Sequence, residues 1–178
     1  NIGDKKGKIL DKYVLKSNAK CLLELGVYLG YSTIRIAKNL SDDAHLYSID
    51  VNEEFLNIAK QHLEFSGLTE KVSFFNGKAS EVIPQLDQKF DFVFIDHWKE
   101  AYLDDLKILI KHDRLKDGAV IFADNIVLFH LEEYLDFVRT SPNFSSEFIP
   151  ALREYSSSHP DGIEAVSYTH LTLPTTSP

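Results

Sequence analysis

Apolar residues along the chain follow two alternating periods. Short runs of strand length occur at Cys21–Leu25, Leu46–Ile49, Val72–Phe75, Phe90–Ile95 and Ala119–Ala123. Between them the spacing becomes that of helices with one buried face. Phe55, Leu56, Ala59 and Leu63 make one such stripe, and Leu131, Tyr134, Leu135 and Val138 make another. Lys8 to Lys16 reads as a further helix, with Asp4 ahead of it as a candidate N-cap. Strand and helix patterns that alternate every roughly 25–30 residues build βαβ units and a mostly parallel sheet. Phe144–Pro150 and Gly162–Val166 are expected to close that sheet, antiparallel to the rest. There is no internal repeat, and Ser156-Ser157-Ser158 is a surface loop too short to link domains, so one domain is expected over residues 1–165. The stretch 166–178 is rich in Thr and Pro and loses its periodicity after the first few residues; it is read as a non-native or disordered tail.

Composition narrows the function. The 178 residues are 44% hydrophobic, enough for a core that needs no disulfide or metal staple. With 27 acidic against 19 basic residues the formal charge is −8, which argues against a nucleic-acid partner. Cys21 is the single cysteine, so neither an internal disulfide nor a thiolate metal cluster can form. No apolar run reaches the length of a membrane span. The chain has no methionine and begins at Asn1, so a preceding segment is expected.

The chemistry gathers where the strands end. Glu24, Asp50, Asp96 and Asp124 each lie in or beside the end of an apolar run. In a parallel sheet those ends share one rim, and ligands of open α/β sheets bind outside it. Four acids brought together there call for cations or hydrogen-bond donors among them; the plainer alternative makes each a separate helix N-cap.

The loop Leu23-Glu24-Leu25-Gly26-Val27-Tyr28-Leu29-Gly30-Tyr31-Ser32 lacks the Gly-x-Gly-x-x-Gly of dinucleotide sites, because Tyr28 stands where a glycine is needed. Glu24 is poorly placed for a pyrophosphate and suits a phosphate-free cofactor with a cationic amine, such as S-adenosylmethionine. Asp50 can take both ribose hydroxyls, and Gly26 lets the backbone approach the ligand. A tight turn with no ligand stays open at this point.

Phe94-Ile95-Asp96-His97-Trp98-Lys99 and, one βαβ repeat further on, Ala123-Asp124-Asn125 place two carboxylates and an amide oxygen on neighbouring strands. That hard oxygen set suits Mg²⁺. His97 stands alone, so it is read as a packing or hydrogen-bonded residue, with adenine as one possible partner. Lys99 beside a divalent cation would serve as a general base.

These segments resemble the catechol O-methyltransferase family, together with Asn1-Ile2-Gly3-Asp4-Lys5-Lys6-Gly7-Lys8-Ile9, Ile83-Pro84-Gln85-Leu86 and Leu152-Arg153-Glu154-Tyr155. The likeness runs from Asn1 to about Ala165. It implies a Rossmann-like class I methyltransferase fold: an α/β, mostly parallel seven-stranded sheet in the order 3-2-1-4-5-7-6, with helices on both faces. It implies an enzyme that moves the methyl group of S-adenosylmethionine to one hydroxyl of a small catechol. Asp96, Asp124 and Asn125 would hold Mg²⁺, Lys99 would be the base, and Glu154 would bind the second hydroxyl. Trp98 and Asn125 would also border the acceptor. Around the cofactor the resemblance places Ile2, Glu24, Gly26, Tyr28 and Ser32 at the methionine end and Asp50 at the ribose. Val51, Ala79, Ser80, His97 and Trp98 would surround the adenine, beside Asp96.

Three departures from the family pattern stand out. Asp50 replaces a glutamate, Lys78-Ala79-Ser80-Glu81 differs from the usual run, and Phe129 stands where a proline often guards the acceptor pocket. Helices that precede Asn1 in the family are missing. A monomeric, cytoplasmic protein is expected, with room for a membrane anchor upstream of Asn1. Three other readings remain: a nicotinamide oxidoreductase, a non-catalytic cofactor-binding protein, and the same chemistry on another vicinal diol or phenolic acid. Asn143-Phe144-Ser145 matches a glycosylation acceptor and is taken as chance.

Overall fold

The alternation of periods resolves into a seven-stranded sheet with helices on both faces. The computed structural model of the chain describes residues 1–127, 129 and 131–171. Strands β1 (Cys21–Leu25), β2 (His45–Asp50), β3 (Val72–Asn76), β4 (Phe90–Ile95) and β5 (Leu115–Ala123) are parallel. β6 (Phe144–Leu152) and β7 (Pro160–Tyr168) pair antiparallel with each other, and β7 pairs antiparallel with β5. The order β3-β2-β1-β4-β5-β7-β6 is the expected one. Helices α1 (Gly3–Ser17), α2 (Tyr31–Ala37), α3 (Glu53–Phe65), α4 (Ala79–Val82), α5 (Tyr102–Lys111) and α6 (Glu132–Thr140) fill the connections.

The pleat sorts the strand side chains into two cores. Leu22, Phe92, Phe94 and Phe122 face one side, where Leu10 and Val14 of α1 and Ile36 of α2 cover them. Leu23, Leu25, Val93, Ile95 and Ile121 face the other, against Leu106 and Leu109 of α5 and Tyr134 and Val138 of α6. Strands buried on both faces read as continuous apolar runs, which is why the central ones stood out in the sequence.

Three expectations change. α1 begins at Gly3, well before Lys8, and Asp4 does not cap it. The Asn1 Oδ1 accepts the Gly3 N–H at 2.9 Å, while Asp4 lies inside the first turn and pairs with Lys8 at 3.3 Å. β5 starts at Leu115 rather than Ala119, because Lys116-Asp117-Gly118, which reads as a turn, sits inside the strand as an irregularity, with Gly118 at φ +79°. β7 runs through Tyr168, past the expected domain limit at 165, and Val166 and Tyr168 are buried beneath their neighbours. Residues 172–178 of the expected tail lie outside the described residues. No described helix is long and apolar enough to cross a membrane.

Candidate active site

Register brings the strand ends together. Leu25 pairs with Ile49 on one side and with Ile95 on the other, and Ile95 pairs with Ala123. Gly26, Asp50, Asp96 and Asp124 therefore emerge on one rim. β1 lies between β2 and β4, so chain order reverses there, and the crevice opens at that switch point.

A cavity of about 320 Å³ occupies the crevice. Its walls include Gly26, Tyr28, Ser32, Asp50, Val51, Ala79, Asp96, His97 and Trp98, nine of the expected cofactor contacts, together with Asn1. Asp50 organises the wall from within. Its Oδ2 accepts the Val27 and Tyr28 N–H groups at 2.8 and 3.0 Å, and its Oδ1 accepts the Asn52 N–H at 2.9 Å. A carboxylate has about four lone-pair positions, so one acceptor position remains for a hydroxyl rather than the two expected. The Gly26 φ of +96° serves a close approach to protein backbone: a Cβ there would lie 2.6 Å from the Asp96 carbonyl oxygen. Tyr28 stacks edge-on against Phe55 at 4.9 Å. His97 lies parallel to Tyr102, its Nε2 is 2.6 Å from Asp105 Oδ2, and its buried Nδ1 has no hydrogen-bond partner.

Ile2, Glu24 and Ser80 do not line this cavity. Ile2 is sealed in the core next to Asn1. Glu24 is fully buried behind Ser32 and accepts the hydroxyls of Ser32, Thr33 and Ser48 at 2.6, 2.8 and 2.7 Å. Burial pushes the Glu24 carboxyl up to about 7 despite those three donors.

Beyond Asp96 lies a polar cluster. The Lys99 ammonium donates to Asp96 Oδ1 at 2.7 Å, the Tyr102 hydroxyl at 2.7 Å and Asn125 Oδ1 at 3.0 Å. The single Tyr102 O–H in turn is shared between the Ile95 and Asp124 carbonyl oxygens, 3.0 and 3.1 Å away. Phe129 lies under the Lys99 charge at 5.7 Å. Asn125, held at φ +58°, turns its amide nitrogen to Glu154 Oε1 and Asp161 Oδ2, both at 2.9 Å.

Asp124 is fully buried. Lys6 lies 2.7 Å from its Oδ1 without hydrogen-bond geometry, and its Oδ2 has no partner. Burial and the neighbouring charge of Asp96 raise its pKa well above the ordinary carboxylate range, against the pull of Lys6. An under-satisfied buried carboxylate beside the Asp96 and Asn125 oxygens is a donor set that a hard divalent cation fits.

Asp96, Lys99, Asn125 and Glu154 are thus linked in one hydrogen-bonded cluster. Lys6, Tyr102, Asp105 and Asp161 were missed. Lys6 lies in a quoted segment and Asp161 just before a predicted strand, but their chemistry depends on a contact across 155 positions that no local spacing reveals.

A model of a family described as O-methyltransferase matches residues 1–133. The chain is 37% identical to catechol O-methyltransferase of Bos taurus over 179 residues, covering 98% of this chain and 65% of that protein. It is 37% identical to catechol O-methyltransferase of Sus scrofa over 173 residues, covering 94% of this chain and 92% of that one. The chain therefore spans just under two thirds of the bovine relative's length. Among solved structures, the O-methyltransferase TomG of Streptomyces achromogenes, involved in tomaymycin synthesis and solved with SAM, superposes with a TM-score of 0.87 at 23% identity. That match covers 96% of this chain and 82% of TomG.

Proposed function

The chain belongs to the O-methyltransferase family, and from that premise we propose that it methylates one hydroxyl of a small catechol, using S-adenosylmethionine and Mg²⁺, with Lys99 as general base. The relatives named as catechol O-methyltransferases support the acceptor. One observation carries the reading: the Lys99 ammonium sits between Asp96, Asn125 and the Tyr102 hydroxyl, on the rim beside the switch-point cavity. A nicotinamide oxidoreductase is set aside by the family match.

In this reading Gly26, Tyr28, Ser32 and the Asn1 end of α1 surround the methionine part of the cofactor. Asp50 takes a ribose hydroxyl, and Val51, Ala79, His97 and Trp98 enclose the adenine. Glu24 acts from behind Ser32, as a buried partner of the wall. Asp96, Asp124 and Asn125 are the cation's ligands. When bound, the two groups supply a methyl on a positively charged sulfur and a divalent charge that favours the phenolate.

The residues do the rest. A phenol with pKa about 10 is a weak nucleophile at neutral pH; Lys99, having released one ammonium proton to solvent, takes the phenol's proton on its free amine and becomes the ammonium again. Tyr102, 2.7 Å from that nitrogen, would keep it in place if Asp96 and Asn125 held the cation. Glu154 accepts the second hydroxyl, which fixes which oxygen faces the methyl. Trp98, 74% exposed, and Phe129, 52% exposed, flank the ring from the rim. Holding the two reacting atoms in line supplies much of the rate.

The test is methyl transfer from S-adenosylmethionine to a simple catechol, with Mg²⁺ or with excess chelator. Turnover only with Mg²⁺ is expected, and Lys99→Met should lower kcat by ~10²–10⁴-fold while the cofactor dissociation constant stays put. Cofactor binding without Mg²⁺-dependent turnover on any vicinal diol would sink the reading.

A further inference from the structure

Lys6 has no part in that reaction, yet it is an almost fully enclosed cation near the rim. The side chain is 1% exposed, and its ammonium meets three carboxylates: Asp124 at 2.7 Å, Asp161 at 2.6 Å, and Glu154 in still closer contact. The contact with Asp161 Oδ2 has hydrogen-bond geometry, and those with Asp124 and Glu154 are ion pairs. One oxygen from each of Asp124, Glu154 and Asp161 lies within 4.8 Å of the others, a spacing that would suit a metal ion. Asp161 Oδ1 is buried and unpartnered beside it.

We propose that Lys6 is a positioning residue: a resident cation that fills the Asp124–Glu154–Asp161 cage, excludes a second divalent ion from it, and fixes Asp124 and Glu154 on either side of Asn125. What Asp124 and Glu154 are positioned for rests on the methyl-transfer reading; the occupancy of the cage does not. The geometry supports both parts. Lys6 joins a cation ligand to the acceptor-binding carboxylate through one atom, and Asn125 Nδ2 closes the loop by bonding Glu154 and Asp161. Without the ammonium, three carboxylates would face one another in a buried space, which is tolerable only with another cation or with protons.

The experiment titrates the chain with Mn²⁺ alone, without cofactor or acceptor, and counts bound ions from the free Mn²⁺ resonance. The variants are Lys6→Met, Lys6→Gln and Lys6→Arg, each checked for folding by circular dichroism. Met and Gln remove the charge, so if one fails to fold the other decides. The expected result is one ion more than wild type for the uncharged variants and the wild-type number for Lys6→Arg. The same uncharged variants should raise the acceptor KM at least ~10-fold with the cofactor dissociation constant unchanged. A folded uncharged variant with the wild-type ion count, affinity and acceptor KM overturns the proposal. A wild-type chain that takes no ion would instead count against the Mg²⁺ reading, and Lys6 would still be judged by whether its loss adds one.

Discussion

At the scale of single residues, the rim is built from acids in very different settings. Asp50 is wrapped in backbone N–H groups, Asp96 is held by Lys99, Asp124 is under-satisfied, and Glu24 is sealed among three hydroxyls. Glu24 gives a pH signature. Its native pKa is raised to about 7, above the ordinary 4.5, so the folded state holds a proton that the unfolded chain releases. The contribution of Glu24 to stability is then largest below about pH 4.5, declines as pH rises towards 7, and is flat above. Glu24→Gln, always neutral, lacks that decline. Its melting temperature minus that of wild type should grow between pH 5 and pH 7.5, by the equivalent of a few kcal/mol at most. A difference that stays constant with pH would mean that Glu24 is charged throughout. The sequence reading put Glu24 against the cofactor, whereas its side chain lies behind Ser32, off the cavity wall. Its alternation in β1 points it towards Ser32, Thr33 and Ser48, a three-element contact that spacing along one strand does not encode.

At the scale of elements, what was legible followed burial. β1 and β4 are covered on both faces and appeared as apolar runs, each interrupted by one acid, Glu24 and Asp91, and α3 and α6 showed their stripes. Edges were harder. β6 is largely solvent-facing, and β5 holds a turn-like Lys-Asp-Gly within it. The start of α1 was misplaced because its N-cap is Ile2, which carries no capping side chain, and the Gly3 N–H is taken by Asn1, ahead of Asp4.

α1 also does more than cover the sheet. It sets Asn1 on the cofactor cavity and Lys6 in the acid cage, while Leu10 and Val14 anchor it to Leu22, Phe92 and Phe94. Leu10 is fully buried, and Leu10→Ala should cost about 2–5 kcal/mol in a denaturant melt. A loss below 1 kcal/mol would show that α1 is only loosely docked.

At the scale of the whole molecule, the sheet is joined across almost its full sequence length. Lys6 in the first helix touches Asp161 in the last described strand, and Asn1 reaches Tyr155 at 3.4 Å. The cluster around Lys99 draws on β4, β5 and the loop before β7, so it exists only when these are assembled. A chain stopped at Leu152 should therefore show no cooperative thermal transition, whereas one stopped at Leu171 should melt as the full chain does; calorimetry of the two decides it. A sharp transition in the shorter chain would mean that β1 to β5 fold without their partner.

The position of β7 between β5 and β6 also fixes an order of events during synthesis. β6 leaves the ribosome before the strand that separates it from β5, and its backbone pairs with β7 alone. Until residue 168 emerges, β5 and β6 are open edges able to join another chain. The interval before the last strand inserts is when a nascent copy is most exposed to misassembly, and Lys6 can find Asp161 only when it ends.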